Sequence, residues 1–155
     1  MATRQQLEPL PITIKRANHY VRLWHRHASP ATGGLFAVAV RRVGTSEPCG
    51  VAIVGRPCRS LQDGWTAEIT RLATDGTPNS GSFLIGRVRR VLQVLGYRRL
   101  TTVTLESESG ASLRGAGLSG PAPVKSGTWD RPSRHRTDRH DVHQQRRRWT
   151  EELDP

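Results

Sequence analysis

Lysine is nearly absent from this sequence: Lys15 and Lys125 are the only two among 155 residues. Acidic side chains are also few, 13 against 24 Lys plus Arg, which leaves a formal net charge of +11. Aromatic residues make up 5% and methionine occurs once. No apolar run approaches the ~18 residues a transmembrane helix needs, and the N-terminal stretch lacks a signal-peptide apolar region, so a membrane-spanning or secreted chain is not expected and a cytoplasmic one is. Cysteine is limited to Cys49 and Cys58, whose spacing fits neither a zinc site nor a CxxC redox pair; two reduced thiols and no metal are expected. The hydrophobic fraction is 35%, beside 15 Gly and 10 Pro, which suits one packed domain with part of the chain outside its core.

What the sequence has in quantity is arginine, 22 residues. The planar guanidinium fork matches phosphate and keeps its charge when partly desolvated, so polyanions are the natural partners, nucleic acid first and DNA in particular. A codon bias toward arginine would raise the count everywhere. The placement is uneven, however: residues 130–149 hold seven Arg and three His against three Asp, with almost no aliphatic side chain. Such a stretch cannot build a core. The expected organisation is a domain over residues 12–130 and a basic, partly disordered tail over 131–155.

Along the chain, residues 1–11 read as an irregular leader and 12–14 as a short strand. A helix follows from about Arg16 to His27. Residues 35–43 and 49–54 are apolar, β-branched runs separated by a Gly- and Pro-bearing turn, an antiparallel hairpin. A third strand covers 65–73. The polar loop from Asp75 to Ser82 then opens into Phe83–Leu95, where apolar residues at 84, 88, 91, 92 and 95 follow helical spacing and Gly96 is a natural C-cap. Residues 100–105 form the next strand, and 109–116 a short helix. One or two late strands are expected near Val124 and Trp129. The order predicts an α/β domain around a mixed, mostly antiparallel sheet with one crossover helix.

A strand, a polar glycine loop and a helix N-terminus together make an anion site, with the amides of Asn79, Ser80, Gly81, Ser82 and Phe83 aimed at a ligand and Arg87 one turn further on. The same loop also reads as an ordinary turn capped by Ser80 or Ser82, and spacing leaves both open. The strand Ala67-Glu68-Ile69-Thr70-Arg71-Leu72, the loop Asn79-Ser80-Gly81-Ser82, the segment Gly96-Tyr97-Arg98-Arg99-Leu100 and the short helix ending Gly117-Leu118 resemble the core of the GNAT N-acyltransferases. The Val54-Gly55-Arg56-Pro57, Glu68-Ile69-Thr70-Arg71-Leu72 and Trp129-Asp130-Arg131-Pro132-Ser133-Arg134 elements resemble small phage and prophage GNAT-like proteins, which are similar in turn to the Mom-type enzymes that modify adenine in DNA.

The resemblance implies acetyl-CoA or another acyl-CoA as cofactor. Loop amides at residues 79–83 and Arg87 would hold its pyrophosphate, and the backbone of Leu72, Ala73 and Thr74 its pantetheine arm. It implies Glu68 as the general base, with a salt bridge to Arg71 or another arginine as the structural alternative. His19, Tyr20 and His25 on the first helix would face the acceptor, as would Arg71, Trp129, Arg131 and Arg134. Two departures stand out: the loop keeps one glycine and lacks the family's leading arginine, and Leu113 replaces the tyrosine that serves as general acid. A rival reading is therefore a nucleic-acid-binding module that kept the fold without the chemistry.

Overall fold

Two segments of this chain carry prolines where only the border of a sheet tolerates them, because a proline cannot donate to a ladder on both sides. They are Leu7–Leu10, containing Pro9, and Ser119–Val124, containing Pro121 and Pro123. In the computed structural model, which describes residues 4–24, 29–105, 109–124 and 146–154, these are the two outermost strands. The elements follow in the order β1 (Leu7–Leu10), α1 (Ile14–Trp24), β2 (Phe36–Arg42), β3 (Pro48–Gly55), β4 (Thr66–Thr74), α2 (Ser80–Leu95), β5 (Arg99–Leu105), α3 (Ala111–Gly115), β6 (Ser119–Val124) and β7 (Arg146–Glu152). The sheet order is β1-β2-β3-β4-β5-β7-β6. Neighbours are antiparallel except β4 and β5, which α2 connects as a parallel pair. This is the mixed α/β architecture the sequence predicts.

The two long helices lie on opposite faces of the sheet. Leu84, Ile85, Val88 and Leu92 form a single fully buried stripe of α2, packed on Val54, Ala67, Leu100 and Trp149. On the opposite face Ala17, Tyr20 and Val21 of α1 pack on Ala39, Val51, Ile53 and Ala73. Strand β3 lies between both helices, so its alternate side chains serve different cores and all eight residues are buried. Gly96 ends α2 in the left-handed conformation, its amide donating to Gln93 O and Leu92 O, as a C-cap glycine does. Among the described residues no helix is long and apolar enough to cross a membrane.

Two expectations change. Residues 12–14 are not a strand: Ile14 begins α1, and the strand is β1 in the supposed leader, where two prolines hid it. The boundary between domain and tail does not hold as drawn, because Arg146–Glu152 is sheet strand β7, inserted between β5 and β6. The expected strand near Trp129 lies outside the described residues. Strand β7 stays legible only as an alternation. Trp149 and Leu153 are buried in the α2 core and Glu151 on that face pairs with Arg89 at 2.6 Å, while Glu152 on the other pairs with Arg99 at 2.7 Å.

Trp149 locks β7 in place. Its indole Nε1 donates to Thr104 Oγ1 at 3.0 Å. Gly110, at φ +67°, passes so close that a Cβ there would lie 2.4 Å from the ring. Trp149→Ala should therefore cost about 3–5 kcal/mol of unfolding free energy, the usual range for truncating a buried tryptophan, and denaturant titration will measure it. A loss below 1 kcal/mol would mean that β7 contributes little to the core.

Candidate active site

The parallel pair is where the sheet comes apart. Strands β4 and β5 pair only from Thr66↔Arg99 to Ile69↔Thr102, although β4 continues to Thr74 and β5 to Leu105. The cause lies on β4's other side. Against β3, Ile53 faces Arg71 while Val54 faces Ile69, so Thr70 is an extra residue, a β-bulge. A bulge bends and overtwists its strand, and this one sits at the first position where pairing to β5 stops. Thr70 Oγ1 donates to Ile53 O at 3.2 Å and Arg71 Nη1 to Thr70 O at 2.7 Å, which fixes the bend. Leu72, Ala73 and Thr74 thus have an edge turned toward the cleft between two diverging parallel strands, at their C-terminal ends, where open α/β sheets bind ligands.

Glu68 stands at the closed end of that cleft. Gly55 flanks it on β3 and Thr101 on β5. Only 16% of its side chain is exposed, and its Oε1 lies 3.6 Å from Nη1 of Arg148, which reaches over from β7. The same Nη1 donates to Thr101 Oγ1 at 3.0 Å. Burial raises the proton affinity of Glu68 above the ordinary carboxylate value, against the opposing pull of Arg148 and then Arg71. A carboxylate held this way is a stronger base than a solvated one.

At the open end, the chain turns from β4 into α2. Asp75 Oδ1 accepts from Thr77 N at 2.9 Å and from Thr77 Oγ1 at 2.5 Å, and Asn79 enters α2 at φ +66°. Ser80 Oγ donates to Thr77 O and Ser82 Oγ to Asn79 O, so neither serine caps the helix. Asn79 makes no side-chain cap bond either. The amides of Gly81 and Ser82, in the first turn, have no intrahelical acceptor and sit at the positive end of a 16-residue helix. Those residues fit a pyrophosphate, and the free edge of Leu72–Thr74 fits an extended, amide-bearing arm.

No protein-family model and no curated protein sequence matches the chain. Solved structures do. The ribosomal-protein-S18-alanine N-acetyltransferase of Escherichia coli superposes with a TM-score of 0.65 at 12% identity, covering 97% of this chain and 96% of that one. An N-acetyltransferase from Staphylococcus aureus gives 0.64 at 11% identity, covering 96% and 99%. The yncA protein of Salmonella typhimurium, solved with its cofactor acetyl-CoA, gives 0.59 at 16% identity, covering 96% and 94%. The fold is that of the GNAT N-acetyltransferases.

On this GNAT scaffold the site residues read from sequence separate into groups. Glu68, Leu72, Ala73, Thr74 and the 79–83 loop all border the cleft between β4 and β5 or its mouth. Gly81 has a second duty: a Cβ there would lie 2.6 Å from Ser112 Oγ, so its missing side chain lets α2 touch α3. Phe83 packs against the α2 core, and Arg87 stacks over its ring at 5.0 Å, about 10 Å along the helix from Ser80 rather than one turn. Arg71 is a latch, its Nε donating to Ser29 O at 2.5 Å and so holding the loop that follows α1. Tyr20 is a core residue whose hydroxyl donates to Glu47, and exposed His19 lies edge-on to its ring. Glu47 precedes β3 while Gly55 ends it, about 26 Å away along the strand, so His19 and Tyr20 are not beside Glu68. Leu113 is buried in the α2 core. His25, Trp129, Arg131 and Arg134 lie outside the described residues.

Arg148 and Thr101 were not anticipated. Arg148 belongs to a triple arginine that reads as a nucleic-acid arm; the alternation around Trp149 was the signal that places it on a sheet face.

The raised proton affinity of Glu68 has a stability consequence. The folded protein keeps a proton on Glu68 at pH values where the unfolded chain has released it. Its contribution is therefore whole below the ordinary glutamate value of 4.5 and is lost as pH rises through the folded midpoint. Glu68→Gln should be more stable than the parent at neutral pH, because burial outweighs the attraction of Arg148, and the gain should vanish near about pH 4. Thermal melts across pH check this. A variant destabilised at pH 7 would show the ion pair to outweigh burial.

Proposed function

We propose that this chain is an acyl-CoA-dependent N-acyltransferase whose acceptor is a nucleobase amine, of the phage or prophage, Mom-like kind that modifies DNA. The observation that carries the transferase part is the juxtaposition of a buried carboxylate, Glu68, with the closed end of the split between β4 and β5, on a fold shared with GNAT enzymes. Gly81 and Ser82 amides would hold the pyrophosphate of acetyl-CoA or another acyl-CoA, and the backbone of Leu72, Ala73 and Thr74 its amide arm. When bound, the cofactor supplies an acyl group activated as a thioester. Glu68 takes the proton of the acceptor amine, and its restricted exposure keeps bulk water from competing for it. Leu113, in the core, offers no proton to the other side of the reaction.

The nucleic-acid acceptor is supported by composition: a net charge of +11, with Arg131, Arg134 and Arg136 in a stretch nearly free of apolar residues. Part of the basic arm belongs elsewhere, since Arg148 is committed to Glu68 and Thr101.

Acetyl-CoA should raise the melting temperature of the protein, as a ligand bound only to the native state must. Glu68→Gln should keep that shift and lose roughly 10²-fold or more in turnover. No shift with acetyl-CoA would favour the module that binds nucleic acid without chemistry. Mass spectrometry of nucleosides from cells expressing the protein identifies the acylated base.

For the acceptor, each phosphate contacted on duplex DNA should steepen the dependence of log K on log salt by about 0.9. Replacing Arg131, Arg134 and Arg136 together with Ala should flatten the slope by roughly two to three units. A slope indifferent to these changes would move the acceptor to a small amine or a protein.

A further inference from the structure

Among the described residues Glu68 is the carboxylate at the closed end of the cleft, and polar and charged groups come to it from β4, β5 and β7. Arg71 lies on its own strand, neutral Thr101 faces it from β5, and Arg148 approaches from β7, two strands away. Arg148 pairs in register with Val103, not with Thr101, so its side chain crosses one strand and leans back along it to arrive. That path is about 10 Å across the sheet alone, within reach of a long side chain and no other type.

The arrival point is fixed by a chain of hydrogen bonds. Thr101 Oγ1 donates its one proton to Trp149 O at 3.0 Å, so toward Arg148 it can only accept. Arg148 Nη1 donates to it at 3.0 Å and lies 3.6 Å from Glu68 Oε1, while Nη2 rests 3.9 Å from the Cys58 thiol, itself 3.3 Å from Ser60 Oγ. The guanidinium plane is thereby touched at two corners, Nη1 and Nη2, with only 19% of the side chain exposed. A forked cation so oriented gives a carboxylate direction as well as charge.

We propose that Arg148 is the positioning residue of Glu68: from β7 it spans β5 and fixes the carboxylate over Thr101, so that the last strand, and not β4 alone, makes Glu68 a usable base. The role as base rests on the acyltransferase reading; the coupling of the two side chains does not. Arg71 also pulls on Glu68 by its charge, while its Nε and Nη1 donate to Ser29 O and Thr70 O.

The test compares the parent with Arg148→Met, which keeps the stem and removes the charge, and Arg148→Lys, which keeps the charge and loses the fork. Two quantities are read. The first is the Glu68 carboxyl titration by infrared difference spectroscopy, assigned with Glu68→Gln, in the protein without substrate. The second is the acidic limb of the pH profile of kcat/KM for acetyl-CoA-dependent acylation. Arg148→Met should move both midpoints upward by about one pH unit or more, and Arg148→Lys should recover part of the shift. A Glu68 titration unmoved in Arg148→Met overturns the proposal whatever the activity. A titration that moves in a protein with no acyl transfer at any pH supports the coupling and defeats the acyltransferase reading instead. Should Arg148→Met fail to fold, the double variant Glu68→Gln/Arg148→Met decides. Glu68→Gln should stabilise the Arg148→Met background by more than it stabilises the parent, because only there does it remove a buried carboxylate left without its cation, and an equal gain in both backgrounds overturns the pairing.

Discussion

Strand β4 cannot serve two neighbours beyond Ile69, and the site follows from that constraint. Up to Ile69 its backbone bonds to β3 on one side and β5 on the other. At Thr70 the inserted residue spoils the ladder geometry, β4 follows β3, and β5 is left to follow β7. An interior strand thus acquires an edge of its own inside the molecule. Unpaired backbone groups in such a place demand a partner. The closed end of the cleft is set by the last paired residues, which is why Glu68 sits there, and the open end by the turn into α2, which is why helical amides face it.

Patterns carried by many residues were legible in the sequence. The hairpin of β2 and β3, the 3.6-residue stripe of α2, Gly96 at its end and the strand–loop–helix crossover are all built from repeated apolar spacing, and burial enforces such spacing. Features carried by one residue were not. The bulge at Thr70 leaves no trace in a strand of otherwise ordinary composition. Strand β1 was hidden by Pro9, acceptable only because β2 lies on one side of it. Strand β7 was hidden by its charge: its inward face includes Glu151, which a sequence pattern scores as surface but which Arg89 neutralises.

The candidate site shows the same division. Glu68 stood out as a charged residue within an apolar strand. Its partner did not, since Thr101 and Arg148 are 47 residues apart and meet only through sheet order. Tyr20 reads equally well as a stacking residue or a core one, and packing against Val21 and Ala73 decides for the core. The arginine excess likewise divides. Arg16, Arg41, Arg42, Arg89, Arg99 and Arg148 each pair with an acidic side chain inside the described fold, so six of the 24 Lys and Arg serve internal neutrality before any partner is considered.

The position of β7 also orders events in time. A chain emerging from the ribosome presents β5 long before β7, and the partner of Thr101 within the sheet, Thr150, is among the later residues to appear. Until then β5 has one free flank, the kind of transient edge that recruits other chains. The strand that closes this flank also delivers the arginine facing Glu68. Completion of the sheet and arrival of Arg148 beside Glu68 are therefore a single assembly step, and a nascent chain stalled before β7 would carry at once an open sheet edge and a carboxylate without its arginine.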